Sequence, residues 1–257
     1  MVNLENIFLI FFPDSRLEKV ALHDIDISLN DGEVTSILGH NGSGRSTLLR
    51  LLAGHMSPNF GRLVMDGVDI TDHSISQRAE YFSTVFYEEN TSTAGNLTVL
   101  ENLVVASRHH QSCSALINAY DDAVRESFRQ QLQQLNFMEM EELMDEKVRD
   151  IPAHYRQVLA LLIAVLKGTK VLLIDEHSTG LSSEVAQELL LVTENIIKSN
   201  RITTLMCISD PLFAAKISDK IIVLDHGQVV ASYGKEEIKN MTAKNIHEFI
   251  PLVGVQR

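Results

Sequence analysis

Apolar positions along the chain fall into two patterns. Short, nearly continuous runs read as buried strands, and stretches with apolar residues three and four apart read as helices. Ile7–Phe12 is an apolar run closed by Pro13 and Asp14, and reads as a strand. Val34–Leu38 is a short β-rich run, and leads through a glycine-rich turn into a helical pattern over Thr47–Ala53. Leu63–Met65 and Val68–Ile70 flank Asp66–Gly67, a β-hairpin signature. Lys170–Ile174 and Arg201–Ile208 are further strands, and Asp210–Pro211 opens a helix after the second. Ile221–Leu224 and Gln228–Ala231 flank Asp225–His226–Gly227 as a second hairpin. Residues 97–155 break this alternation: they are rich in Gln, Glu, Leu and Met with helical spacing, and predict an inserted helical subdomain. Thr242–Phe249 reads as a closing helix capped by Thr242. Alternating β and α segments predict an α/β fold, one domain over residues 1–257, with a mainly parallel sheet and an antiparallel β edge.

The sharpest local motif is GHNGSGRST, Gly39 to Thr47, between a strand and a helix. Its spacing is that of the Walker A phosphate loop, G-x-x-x-x-G-K-S/T. Gly39, Gly42 and Gly44 permit backbone angles that turn successive N–H groups inward as an anion nest. The helix that follows adds its positive end. The loop residues Asn41, Ser43 and Thr47 belong to the same candidate nucleotide site, and Ser46 can place its hydroxyl on Mg²⁺. The motif's lysine is Arg45 here. The charge survives, but a planar guanidinium replaces a compact ammonium in the space beside the β and γ phosphates.

Farther along, VLLIDE, Val171 to Glu176, sets four apolar residues before two carboxylates, the Walker B pattern. Asp175 is placed to hold Mg²⁺, and Glu176 to polarise an attacking water as the catalytic residue. Such a string is common by itself and becomes specific beside a Walker A loop. ATP and Mg²⁺ are therefore the expected cofactors. The ten histidines show no metal-ligand spacing along the chain.

With both Walker motifs, the helical stretch and the Arg156–Gln157 pair, nearly the whole chain resembles the ATP-binding subunits of ABC transporters. NLTVLENL (Asn96–Leu103), VLLIDEHSTGLSSEVA (Val171–Ala186) and TTLMCISD (Thr203–Asp210) are most similar to bacterial import-type chains working with amino-acid-like or basic-membrane-lipoprotein-type binding proteins. The resemblance implies a P-loop NTPase fold of ABC type and an adenine-stacking aromatic at Phe11. Phe12 is the neighbouring candidate, and core packing is the competing role for both. His177, after Glu176, matches the subgroup pattern and reads as structural. Several family positions are altered. Tyr87 stands for the Q-loop glutamine, Ile151–Tyr155 (IPAHY) for the signature LSGGQ, Ser182 for the D-loop aspartate and Ser209 for the switch histidine. Within the signature, Pro152 has neither hydroxyl nor N–H, and Ala153 and His154 replace glycines.

The family sandwiches two ATP molecules between two subunits, each site using the Walker motifs of one chain and the signature of the other. Losing one preorganised transition-state contact costs about 3–4 kcal/mol, or ~10²–10³-fold in rate. Losses within one catalytic unit do not add, yet one suffices to slow turnover. The expectation is Mg-ATP binding with weak or absent hydrolysis by the isolated chain. The implied partners are a membrane permease, a second and more intact ATP-binding subunit, and a separate solute-binding protein.

Composition narrows the setting. The 257 residues, 45% hydrophobic, suffice for one sizeable core. A net charge of -12 repels phosphate backbones and anionic bilayers, so nucleic acid is not an expected partner. Cys113 and Cys207 read as reduced thiols. The first apolar run lacks the basic start of a signal peptide, and Val158–Leu166 is too short to span a bilayer. The expected location is cytoplasmic and peripheral on the inner face of the cell membrane, through the permease. Two other readings compete: a catalytically silent regulatory or scaffold protein, and a soluble ABC-type ATPase acting in assembly or translation.

Overall fold

The computed structural model describes residues 1–86, 93–107, 122–134, 137–166, 168, 170–175 and 182–241. The chain forms two compact units. One comprises Met1–Phe82, Lys170–Glu176 and Arg201–Arg257, the other Ser83–Thr169 and His177–Asn200.

The first unit opens with β1 (Val2–Phe11), β2 (Lys19–Leu29), β3 (Val34–Leu38), α1 (Arg45–Leu52), β4 (Phe60–Met65), β5 (Val68–Asp69) and α2 (Ile75–Arg78). β6 (Phe82–Val85) lies at the boundary between the units. The first unit resumes with β7 (Val171–Asp175), then β8 (Thr203–Cys207), α8 (Pro211–Ile217), β9 (Lys220–Asp225), β10 (Gln228–Gly234) and α9 (Lys235–Lys239). The second unit holds α3 (Val99–Ser107), α4 (Asp122–Gln134), α5 (Glu139–Glu142), a 3₁₀ turn at Val148–Asp150, α6 (Ala153–Leu166) and α7 (Ser183–Asn200).

The central sheet runs in the order β10-β9-β3-β8-β7, with β3, β7, β8 and β9 parallel and β10 antiparallel. β3, β7 and β8 are buried at every position, as expected of parallel strands covered on both faces. A second, antiparallel sheet has the order β2-β1-β4-β5. Its β1 alternates, with Val2, Leu4, Ile7 and Leu9 buried, and its register shifts between Leu4 and Ile7, where Asn6 adopts φ 50°. The two hairpins lie where the Asp-Gly and His-Gly signals put them. Asp66–Gly67 and His226–Gly227 each take positive φ at both positions, as a type I′ turn requires.

α1 carries Leu48, Leu49, Leu51 and Leu52 into the core. Its last turn is closed by Arg78, itself 1% exposed. That guanidinium donates to the carbonyls of Leu51, Leu52 (3.2 Å) and Thr71 (2.6 Å). A cation is favoured at a helix C-terminus, but burial still pushes the Arg78 pKa down.

Some boundaries differ from the apolar pattern. Phe12 leaves β1 with φ 51° and is 66% exposed, because Pro13 ends the strand. α1 begins two residues before Thr47, directly after Gly44. β2 lacks a continuous apolar run, since its polar face alternates with Leu22, Ile25, Ile27 and Leu29. Among the described residues of 97–155 the regular elements are helices joined by turns, with an isolated bridge between Thr98 and Lys147, and α6 continues unbroken past 155. The expected helix Thr242–Phe249 lies outside the described residues, as does Cys113. Cys207 is buried.

Candidate nucleotide site

β3 ends at Leu38, and Gly39–Gly44 turn the chain into α1. A Cβ on Gly39 would strike the Leu224 carbonyl and lie 2.6 Å from Ser43 Oγ, so no larger residue fits without movement. Gly44 is the N-cap of α1 with φ 107°, and no side chain caps that end. The first N–H groups of a helix have no intrahelical partner, so this terminus suits an anion. Ser43 Oγ is buried without a hydrogen-bond partner, a further polar group held inside the loop.

The loop walls a cleft of about 280 Å³. Asn41, Gly42, Ser43, Gly44, Arg45, Ser46 and Thr47 line it, as do Phe11, Lys19, Val20, Ala21, His40 and His226. Of the two aromatic candidates, Phe11 lines the cleft and Phe12 does not. Gly39 shapes the loop from beneath without lining the space.

Ser46 Oγ donates to Asp175 Oδ1 at 3.2 Å, so the helix start and the end of β7 meet. A hydroxyl and a carboxylate are hard oxygen donors and fit Mg²⁺. Arg45 is 6% exposed, and its Nη1 donates to the Ile208 carbonyl at 3.1 Å. The guanidinium thus reaches the end of β8, next to Ser209, which is exposed at the turn into α8.

The β9–β10 hairpin is fastened to the loop. Gly227 N–H donates to the Ser43 carbonyl at 2.8 Å, and its own carbonyl accepts from His23 N–H at 2.8 Å. His40 Nδ1 donates to the Asn41 carbonyl at 2.7 Å, and Nε2 meets Asp225 Oδ1 at 2.5 Å. The Asn41 carbonyl, and then the Asp225 carboxylate, raise the His40 pKa above that of an ordinary imidazole. Neither His40 nor His226 carries a motif signal in the sequence: one occupies an unspecified position of the phosphate-loop pattern and the other a hairpin turn.

In the second unit, Pro152 precedes α6, and its carbonyl accepts from Arg156 N–H at 3.2 Å. Arg156 Nη1 donates to the Ile151 carbonyl at 2.8 Å. The His154 and Tyr155 rings lie with centroids 4.1 Å apart, tilted by 41°. Ser182 caps α7, its carbonyl accepting from Ala186 N–H at 2.9 Å. Tyr87, Glu176 and His177 lie outside the described residues.

A phosphate loop between β3 and α1, meeting the strand-end carboxylate of β7, a parallel strand two places along the same sheet, makes this a P-loop NTPase. More narrowly, the chain belongs to the ABC transporter family, whose model matches residues 22–179. It is 30% identical over 244 residues to a tyrosine transport ATP-binding protein of Clostridioides difficile, covering 92% of this chain and 94% of that one. It is 32% identical to the spermidine/putrescine import ATP-binding protein PotA of Protochlamydia amoebophila, covering 82% of this chain but 53% of that longer one. A nucleotide-free ATP-binding cassette from an ABC transporter superposes with TM-score 0.73 at 25% identity, covering 97% and 98% of the two chains. The cbiO1 protein of Clostridium perfringens, part of the ABC transporter complex cbiONQ, superposes with TM-score 0.76 at 22% identity over 98% and 94%, a likeness of fold. Among the described residues, no helix is long and apolar enough to cross a membrane.

Proposed function

We propose that this chain binds Mg-ATP and couples it to a membrane permease for import of a small solute, with weakened or lost hydrolysis of its own. The observation that carries the reading is the Ser46–Asp175 contact beside an uncapped helix N-terminus in a chain of this family. The loop N–H groups and the α1 terminus bind and orient the phosphates, while Phe11 offers a face to the base. Ser46 and Asp175 would hold Mg²⁺, which when bound neutralises charge on the phosphate oxygens. Glu176 polarises the attacking water.

Weak turnover is argued from the altered positions. Arg45 spends part of its hydrogen-bonding capacity on the Ile208 carbonyl. A serine at 209 offers no imidazole to the γ-phosphate, and Pro152 removes a donor from the start of α6. The import role rests on the relatives, which are named for tyrosine transport and for spermidine/putrescine import. The partners are a permease, a second ATP-binding subunit that is more intact, and a separate solute-binding protein, with the chain peripheral on the cytoplasmic face of the membrane.

The test is calorimetric titration of the purified chain with Mg-ATP, with phosphate release assayed on the same sample. Binding without multiple turnover is expected. Turnover at ordinary rates would overturn the weakened-hydrolysis reading, and failure to bind would favour a silent scaffold.

A further inference from the structure

We propose that His40, Asp225 and His226 form a binding site for a divalent transition ion of the zinc class at the rim of the phosphate-loop cleft. Among the described residues, these three bring one donor atom each within 4.8 Å of one another. His40 lies far from the other two in sequence, so no spacing along the chain announces the group. Asp225 Oδ1 is 2.5 Å from His40 Nε2 and 3.7 Å from His226 Nε2.

The backbone holding these side chains is tied into the sheet and the loop by hydrogen bonds. Asp225 ends β9, and His226 and Gly227 form the turn into β10. The Gly227 N–H bond to the Ser43 carbonyl ties that turn to the loop bearing His40. A Cβ on Gly227 would come within 2.5 Å of the Ala21 carbonyl, which shows how closely the turn is seated.

The orientation of His40 is the telling feature. Its Nδ1 donates to the Asn41 carbonyl, the outer contact that commonly fixes a metal-binding imidazole. Nε2 then points at a carboxylate oxygen. Two acceptors cannot face each other unless a proton or a metal ion lies between them.

Two imidazoles and a carboxylate suit zinc, cobalt or nickel, whereas Mg²⁺ takes oxygen ligands such as Ser46 and Asp175. Three protein ligands leave a fourth, exchangeable position. Because both histidines line the cleft, that position opens toward it. Bonds of about 2.0–2.2 Å in a tetrahedron set donors roughly 3.3–3.5 Å apart. The short His40–Asp225 contact must therefore open slightly and His226 must close in. The His226 side chain is 83% exposed and has room to swing.

The test uses the metal alone, so its outcome is independent of nucleotide binding. Full-length protein is titrated with Zn²⁺ by calorimetry and with Co²⁺ by visible absorption, with Mg²⁺ as competitor. His226→Asn removes the imidazole while suiting the positive φ of 46° at that turn. His40→Gln removes the second ligand, and His55→Asn, at an exposed position elsewhere, is the control. Circular dichroism checks that each variant is folded. Expected are one Zn²⁺ per chain, a visible cobalt band, no displacement by Mg²⁺, and unchanged uptake by His55→Asn. His226→Asn and His40→Gln should each weaken uptake by at least ~10-fold, since even outer-shell losses cost ~10–100-fold. No uptake by the wild type, or unchanged uptake by either ligand variant, overturns the proposal.

Discussion

The Ser46 hydroxyl donates to Oδ1 of Asp175 across 3.2 Å, joining the first turn of α1 to the end of β7. Asp175 is 8% exposed, so its carboxylate is aimed at the loop rather than at solvent. Ser46→Ala and Asp175→Asn should each weaken Mg-ATP binding by about 1.5–3 kcal/mol, the range for hydrogen bonds to a charged group. The same titration in chelator should change much less. Equal losses with and without Mg²⁺ would refute the assignment of these oxygens to the ion.

Arg45 ties the loop to the end of β8 through the Ile208 carbonyl. Arg45→Lys should tighten ATP binding, because a compact ammonium fits beside the β and γ phosphates. It should also lower stability by about 1–3 kcal/mol, as a buried carbonyl loses its donor. Turnover should remain low, since Pro152, His154 and Ser209 are still present. Paired denaturation and nucleotide titration check both arms, and weaker ATP binding by Arg45→Lys would count against this account.

Arg78 is a purely structural cation, closing the last turn of α1. Arg78→Met keeps much of the volume and removes the donors. It should destabilise the fold by about 3 kcal/mol, because several buried carbonyls lose a charged partner together. The urea midpoint should fall with an unchanged m-value. A midpoint within error of the wild type would show that these carbonyls find other donors.

Asp66, in the β4–β5 turn, pairs with the Lys170 ammonium at 2.6 Å and with the Met1 amine. Lys170 first, and then that amine, hold its pKa at about 2, below the usual 3.8. A depressed carboxyl stabilises the fold above its unfolded pKa and loses that contribution as pH falls toward the folded value. The acid side of the stability profile, between about pH 4 and 2, should therefore be shallower in Asp66→Asn. The two profiles should differ by a constant between about pH 5 and 7, below the titration of the Met1 amine, which Asp31 and then Asp66 raise. An unchanged acid limb in Asp66→Asn would show that the pair contributes nothing in solution.

Much of the fold was legible in the residues. β7 announced itself as a continuous apolar run and β3 and β8 as β-rich runs of apolar residues, Thr and Ser, because parallel strands are covered on both faces. The hairpins at Asp66–Gly67 and Asp225–Gly227 were legible because each turn ends on a glycine, free to take positive φ, between two β-patterned runs. β2 was hidden by its alternating polar face, and the exit of Phe12 from β1 was decided by Pro13. The turn from β3 into α1 was legible as a glycine-rich loop, since Gly44 takes φ 107°, while the start of α1 at Arg45 was not.

The sequence by itself determined the kind of protein: a phosphate loop, a strand-end aspartate and a set of altered family positions are local facts of residue type and spacing. Tertiary structure decided which of those groups meet. Only packing carries Asp175 to Ser46, sends Arg45 to the Ile208 carbonyl and seats Phe11 rather than Phe12 in the cleft. It also brings His40 beside Asp225 and His226, because the parallel pairing of β3 with β9 sets the phosphate loop next to the β9–β10 turn. Chain neighbours are written in the order of residues, while contacts between distant residues depend on sheet order and register, which no local pattern encodes.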